Sequence, residues 1–312
     1  MGIDSKRILI GIFSYNEGEN LSNMYYELKR QSKDLCYKIV LIDESDEIRS
    51  ISIVNEIISS ENTVNIRAGQ KKRGKVHGYN LLYDYFLGSD YDILLHFDAD
   101  HVLSGNNVQK LAESIDSNFN IATCLNKPLR CGNFFQRILY IMALPATYLR
   151  ETGKYTFPLV GHNGAYDRNA VKAIGKIPSG GIDEESYVLA KIIENGLSST
   201  VVQDAISYYA LPGTLSDYMR STRRVYSRVI TFEKRYPDLS KVRGSHGHSS
   251  NINKTIYSRP QLRTIAKALF SDPIAASIVP YIFLIRFSVM RSAGIYTSDT
   301  WETISTTKKM KV

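Results

Sequence analysis

Ile93-Leu94-Leu95-His96-Phe97-Asp98-Ala99-Asp100-His101 is an apolar run that stops at two aspartates one residue apart. Ile93, Leu94, Leu95 and Phe97 read as a strand buried on both faces, the pattern of a central strand in a parallel sheet. Asp98 and Asp100 then emerge at the strand's carboxyl end, the edge where open α/β sheets bind ligands. Side chains two apart on an extended chain point the same way, so the pair offers two hard oxygens side by side. Such a pair suits Mg²⁺ or Mn²⁺, which takes its remaining oxygens from water and substrate phosphates. An isolated Asp-x-Asp is more often a solvated acidic turn, so the flanking sequence has to decide.

Upstream, Lys6 to Phe13 reads as a buried strand that ends in Ser14-Tyr15-Asn16-Glu17. A helix follows from Gly18-Glu19-Asn20 to about Gln31, with Leu21, Met24, Tyr25 and Leu28 at helical spacing. Tyr37 to Ile42 reads as a second strand, ending in Asp43-Glu44-Ser45-Asp46. A helix over Ile48–Ser60, a short strand at Val64–Ile66, a basic loop over Gly69–Lys75 and a helix over Val76–Leu87 lead back to the run at Ile93. Regular alternation of strand and helix predicts a mostly parallel central sheet with right-handed crossovers. Three strand ends thus deliver polar residues to one edge beside Lys71-Lys72-Arg73-Gly74-Lys75, a combination fitted to a phosphorylated nucleotide. A G-x-G-x-x-G after the first strand and a Walker A loop are both absent, which disfavours dinucleotide and P-loop readings.

The 312 residues suffice for one large α/β domain with an extension, and a 43% hydrophobic content is that of a folded protein. Cys36, Cys124 and Cys131 form neither metal-ligand spacing nor a disulfide framework, which favours a reducing compartment. The opening MGIDSKRILIGIF lacks a signal-peptide layout. A net charge of +8 attracts anions: nucleic acid, an acidic membrane or phosphorylated small molecules. The motifs that would single out nucleic acid are missing, so no nucleic-acid partner is expected.

Four segments in order, SYNEGENL (Ser14–Leu21), LIDESDE (Leu41–Glu47), RGKVHGYNLLYDYF (Arg73–Phe86) and FDADH (Phe97–His101), resemble the nucleotide-sugar half of a family 2, GT-A fold glycosyltransferase. Further on, VGHNGAYDRNAVKAIGKIP (Val160–Pro178) resembles the family's acceptor-side turn, strand and helix. GIDEESYVLAKIIENG (Gly181–Gly196) resembles its Glu-Asp helix, closed by Gly196. The resemblance implies a GT-A fold over residues 1–212, divided into a nucleotide-sugar half (1–125) and an acceptor half (126–212). Residues 213–312 would form a C-terminal lid and helical extension.

The same resemblance assigns roles. Asp98 and Asp100 would hold Mn²⁺ or Mg²⁺, with a further ligand from His246 or His248 in GSHGHSSN. Ser14, Tyr15, Asn16 and Glu17 would meet base and ribose, Asp43 or Glu44 the base, and Lys75 the base or diphosphate, beside Asp98. Glu185, or failing it Glu184 or Asp183, would be the general base of an inverting single displacement; Glu185 stands where the family usually has Asp. In acidic helix starts the dipole alone favours such residues, and it is their place after the metal motif that favours a catalytic reading. Arg220, Arg223 and Arg224 lie where the family's lid reaches the departing diphosphate, although the Gln-x-x-Arg-Trp signature is only partly matched, with Val225 in place of tryptophan.

Phe134–Leu149 and Pro273–Met290 are apolar around nearly the whole helix, but Arg137 and Arg286 interrupt them, leaving uncharged runs short of the roughly 20 residues that span a bilayer. They fit either buried helices or segments lying in one leaflet, with the basic Arg259–Lys267 favouring a membrane surface. The sequence therefore predicts a metal-dependent, inverting glycosyltransferase with a nucleotide-diphosphate sugar donor, a UDP-sugar favoured by resemblance, and a lipid-linked hydroxyl acceptor. A cytoplasmic site, peripheral on the inner face of the cell membrane, is expected. The alternatives are transfer to a soluble glycan or protein, a sugar nucleotidyltransferase, and a non-catalytic nucleotide-binding module.

Overall fold

A computed structural model of the chain describes residues 6–59, 63–66, 73–116, 119–129, 132–151, 163–245, 270 and 272–294. The first half alternates as its apolar periodicity requires: β1 (Arg7–Ser14), α1 (Glu19–Gln31), β2 (Cys36–Asp43), α2 (Ile48–Ile58), β3 (Thr63–Asn65), α3 (Lys75–Leu87) and β4 (Ile93–Asp98). β5 (His101–Ser104), α4 (Asn107–Asp116), β6 (Ile121–Pro128), α5 (Phe134–Glu151), β7 (Gly164–Asp167), α6 (Arg168–Ile174), α7 (Glu184–Glu194) and β8 (Ser199–Tyr209) complete the sheet and its cover. Among the described residues three C-terminal helices follow: α8 (Leu215–Arg235), α9 (Pro237–Ser245) and α10 (Pro273–Arg291).

The eight strands lie in the order β3-β2-β1-β4-β7-β6-β8-β5. β3, β2, β1 and β4 are parallel, and the crossover helices between them cover both faces. Beyond β4 the sheet is mixed: β7 runs antiparallel to both β4 and β6, while β8 is parallel to β6 and antiparallel to β5. Simple alternation of strand and helix does not anticipate these reversals.

Strand alternation builds two cores on opposite faces. Ile8, Ile10, Ile12, Leu41, Leu95 and Phe97 pack with α1, α2 and α4, whereas Leu9, Phe13, Val40, Ile42 and Leu94 pack with α3, α6 and α7. α3 sits unusually close to the sheet because Gly78 is on its inner face: a Cβ there would come within 2.8 Å of Ile42 Cγ2. A third, smaller cluster joins α5, α8 and α10 through Ile138, Leu139, Ile141, Leu211, Ala275 and Ile282.

Candidate active site

Strand register gathers the polar strand ends. Ser14 pairs with Asp43 across β1 and β2, and Phe13 pairs with Asp98 across β1 and β4. Ser14, Asn16, Asp43, Glu44 and Asp98 are all buried at this edge, and Tyr15 is buried with them. Several of them shape the floor. Asn16 adopts φ 54°, a left-handed conformation that Asn tolerates better than most residues. Its side-chain oxygen accepts from the backbone N–H groups of Asp46 (3.0 Å) and Glu47 (3.1 Å), and its amide nitrogen donates to Asp46 Oδ1 at 2.6 Å. The Tyr15 hydroxyl donates to the same Asp46 carboxylate at 3.1 Å. Asp43 Oδ1 accepts from the Ser45 hydroxyl at 2.6 Å, and Glu17 accepts from Asn20 Nδ2 at 3.3 Å.

Glu44 ties this edge to the next element. Its Oε2 accepts from the backbone N–H groups of Arg73 (2.9 Å) and Gly74 (2.8 Å), drawing the segment before α3 onto the end of β2. Gly74, at φ 83°, makes the turn that a side chain would strain, and Lys75 follows as the first residue of α3. Lys75 Nζ is thereby placed 2.8 Å from Asp98 Oδ2, with both side chains nearly enclosed. Burial alone would lower the Lys75 ammonium, yet its pKa is raised, because the carboxylates of Asp98, Glu184 and Glu185 outweigh the desolvation. One cation thus feels both Asp98, at the end of β4, and the acids that open α7. Tyr79 and Tyr166 line the same region. Burial first, and then neighbouring acids including Asp98, hold both phenols well above their usual range and therefore protonated.

Asp98, Asp100 and His101 offer ligand atoms that all lie within 4.8 Å of one another. Two carboxylates and an imidazole are a donor set that fits Mn²⁺ or Mg²⁺, the nitrogen favouring the former. His101 is fixed by a 2.9 Å contact between its Nδ1 and Ser207 Oγ. Asn163, fully buried, fastens the arrangement: its Oδ1 accepts from Asp98 N at 2.9 Å and its Nδ2 donates to Ser207 Oγ. Asn163 and Ser207 escape sequence reasoning because each is far from the motif in the chain and neither is charged. His246 and His248 lie outside the described residues.

At the start of α7, Asp183 is the N-cap, accepting from Ser186 N at 2.9 Å and from the Ser186 hydroxyl. Burial, then Glu185 and Glu184, push its carboxyl from 3.8 up to about 7. Glu184 is buried and pairs with Arg228 of α8, while Glu185 is half-buried and acts on Lys75 and Tyr166. Asp183 N also donates to the Arg228 carbonyl at 3.2 Å, so α8 is docked on the acidic cluster. Of the α8 arginines, Arg220 and Arg223 are exposed and Arg224 is half-buried; Arg228, one turn beyond Arg224, pairs with Glu184. Its signal was the i, i+4 spacing from Arg224, which places both on one helix face.

Comparison with known proteins matches this geometry. The family model "Glycosyl transferase family 2" covers residues 9–175, from β1 to the end of α6. Among solved structures, the chain is similar to the mannosyltransferase PcManGT from Pyrobaculum calidifontis, in complex with GDP-Man and Mn²⁺. The identity is 17%, the TM-score 0.55, and the match covers 92% of this chain and 84% of that one. A mycobacterial protein matches at 14% identity and TM-score 0.46, over 72% of this chain and 74% of its own. No curated protein matches the chain. The GT-A fold and the family match across more than half of the sequence agree: the chain belongs to glycosyl transferase family 2 and is a glycosyltransferase.

Proposed function

We propose that the protein transfers a sugar from a nucleoside-diphosphate donor to a hydroxyl of a lipid-linked acceptor, with inversion and by a single displacement. The observation that carries this reading is the position of Lys75, under the joint influence of Asp98, Glu184 and Glu185. Leaving-group and proton-accepting chemistry then face each other across one cleft. In the step, the acceptor oxygen bonds to the anomeric carbon as the bond to the diphosphate breaks. The acceptor proton passes to Glu185, and the nucleoside diphosphate leaves with the electron pair. Asp98, Asp100 and His101 are the residues that would hold a divalent cation, which when bound neutralises the departing diphosphate. Lys75 adds fixed positive charge beside Asp98, while Ser14 to Glu17, Asp43 and Glu44 frame the nucleotide end. Arg224 of α8, with Arg220 and Arg223, supplies cations toward the leaving group.

Glu185 is preferred as the base because it is half-buried where the resemblance places the family's second acid, and its charge acts on Lys75 beside Asp98. Asp183 caps α7 and Glu184 meets Arg228. For the donor, UDP remains the reading from resemblance, and the GDP-Man held by the Pyrobaculum mannosyltransferase makes guanosine the comparison to run beside it. Replacing Glu185 with Gln and assaying transfer and donor affinity separately tests the assignment: turnover falls by about 10²–10⁴-fold with donor binding kept. Unchanged turnover would defeat it.

The lipid-linked acceptor is supported by α10. It is 19 residues long, the one helix among the described residues long and apolar enough to cross a membrane, although only 17% of its apolar window is buried. Arg286 interrupts the sequence but not the helix, and its guanidinium turns to the Tyr226 hydroxyl of α8. Ile274, Tyr281, Phe283, Leu284 and Phe287 stay exposed. We place this face against the lipid of the inner leaflet, with the catalytic cleft on the aqueous side.

A further inference from the structure

A second cleft, of about 550 Å³, opens between the first turns of α3 and the segment joining α6 to α7. Arg73, His77 and Asn80 form one wall, and Lys176, Pro178 and Ser179 the other. Among the described residues, none of Asp43, Lys75, Asp98 or Asp100 lines it, nor does any carboxylate. Its walls are held together: Asn80 exchanges two 2.8 Å hydrogen bonds with the backbone of Ile177, and Arg235 donates to the Ser179 carbonyl. Arg73 and Lys176 have exposed side chains, and neither has an ion-pair partner among the described residues.

We propose that this cleft is a phosphoryl-binding site separate from the donor pocket, in which Arg73 and Lys176 hold the anion and His77 lies beside it. The two fixed cations match the charge of a phosphate dianion, and a guanidinium binds phosphate oxygens in pairs. His77 registers the unneutralised field: burial first, then Arg73 and Lys176, hold its imidazole below the usual range. An anion between those cations removes the repulsion and raises it. The same segment runs on through Gly180 and Gly181 to Asp183, the N-cap of α7. A phosphorylated acceptor headgroup and free phosphate share this chemistry. Only the acceptor assignment rests on the proposed transfer reaction; the anion site itself does not.

The test follows the His77 ring proton by NMR in the full chain, titrated with inorganic phosphate at constant ionic strength. A saturable shift and an upward move of the His77 midpoint are expected. Binding weakens about tenfold in Lys176→Gln and is largely kept in Lys176→Arg. Saturating UDP with Mg²⁺ leaves phosphate binding intact. A short-chain alkyl phosphate that binds at least as tightly as phosphate assigns the site to an acceptor headgroup, and one that fails to bind assigns it to free phosphate. A response matched by NaCl, an unchanged Lys176→Gln, or competition from UDP would overturn the proposal. Transfer by the unaltered enzyme to a soluble acceptor is assayed alongside, so failure of the cleft and failure of the reaction are read independently.

Discussion

Asp183 carries the largest functional consequence of any single group outside the proposed base. Its carboxyl rises from 3.8 unfolded to about 7 in the fold, so the native chain holds that proton more tightly. Its contribution to stability is therefore complete below pH 3.8 and is lost as pH rises toward 7. Urea unfolding between these limits should show stability falling with pH in the parent and falling less steeply in Asp183→Asn. Asn is an equally good N-cap, so the helix start survives the change. Asp183 lies in the field of Glu185 and Glu184, so the pH dependence of transfer should change in Asp183→Asn. Asn163 makes the second residue-scale prediction. Asn163→Ala removes the side-chain acceptor of the buried Asp98 backbone N–H, at a cost of about 1–3 kcal/mol, while Ser207 Oγ keeps its contact with His101 Nδ1. Thermal unfolding reads that loss, and Mn²⁺ affinity should fall with it as Asp98 loses its anchor. Charge made Asp98, Asp100 and the Asp183–Glu185 group legible in the sequence. Asn163 and Ser207 were not legible, because an uncharged residue gains its role only from a partner that the fold brings to it.

Elements were legible in proportion to their periodicity. β1, β2, β4 and α1 follow buried runs or helical stripes, and their bounds fall within one or two residues of those the sequence predicts. β5 has only four residues and begins directly after the aspartates, where a turn and a short strand read alike. β8 has an exposed middle, at Gln203 and Asp204, and its pairing with β6 shifts register between Cys124 and Leu125, which breaks the alternation that marks a strand. Arg220, Arg223 and Arg224, expected in a lid from residue 213, fall on α8, which starts at Leu215. Among the helices, α10 supports a prediction of its own. Replacing Leu284 and Phe287, 68% and 52% exposed, with Asp removes the apolar face without touching Ala275, Ile282 or Val289, which are buried. Flotation with anionic vesicles should recover the parent chain and leave the double variant in solution, with transfer to a water-soluble acceptor unchanged. Equal flotation of the two would remove α10 from the membrane account.

Across the whole molecule, the fold brings two acidic groups that are about eighty residues apart in the chain within electrostatic reach of Lys75. A net charge of +8 is spread around that acidic centre, so an anionic donor is attracted by the surface and received by cations such as Lys75. The molecule's central claim is that one cleft holds both the diphosphate end and the base. Calorimetric titration of UDP and GDP, with and without Mn²⁺, into the parent, Asp98→Asn and Glu185→Gln proteins, paired with transfer assays, tests it most directly. The account predicts nucleotide binding that depends on Mn²⁺, is lost in Asp98→Asn and is kept in Glu185→Gln, with transfer abolished in the first and reduced by about 10²–10⁴-fold in the second. Nucleotide binding indifferent to Mn²⁺, or full transfer by Glu185→Gln, would contradict it.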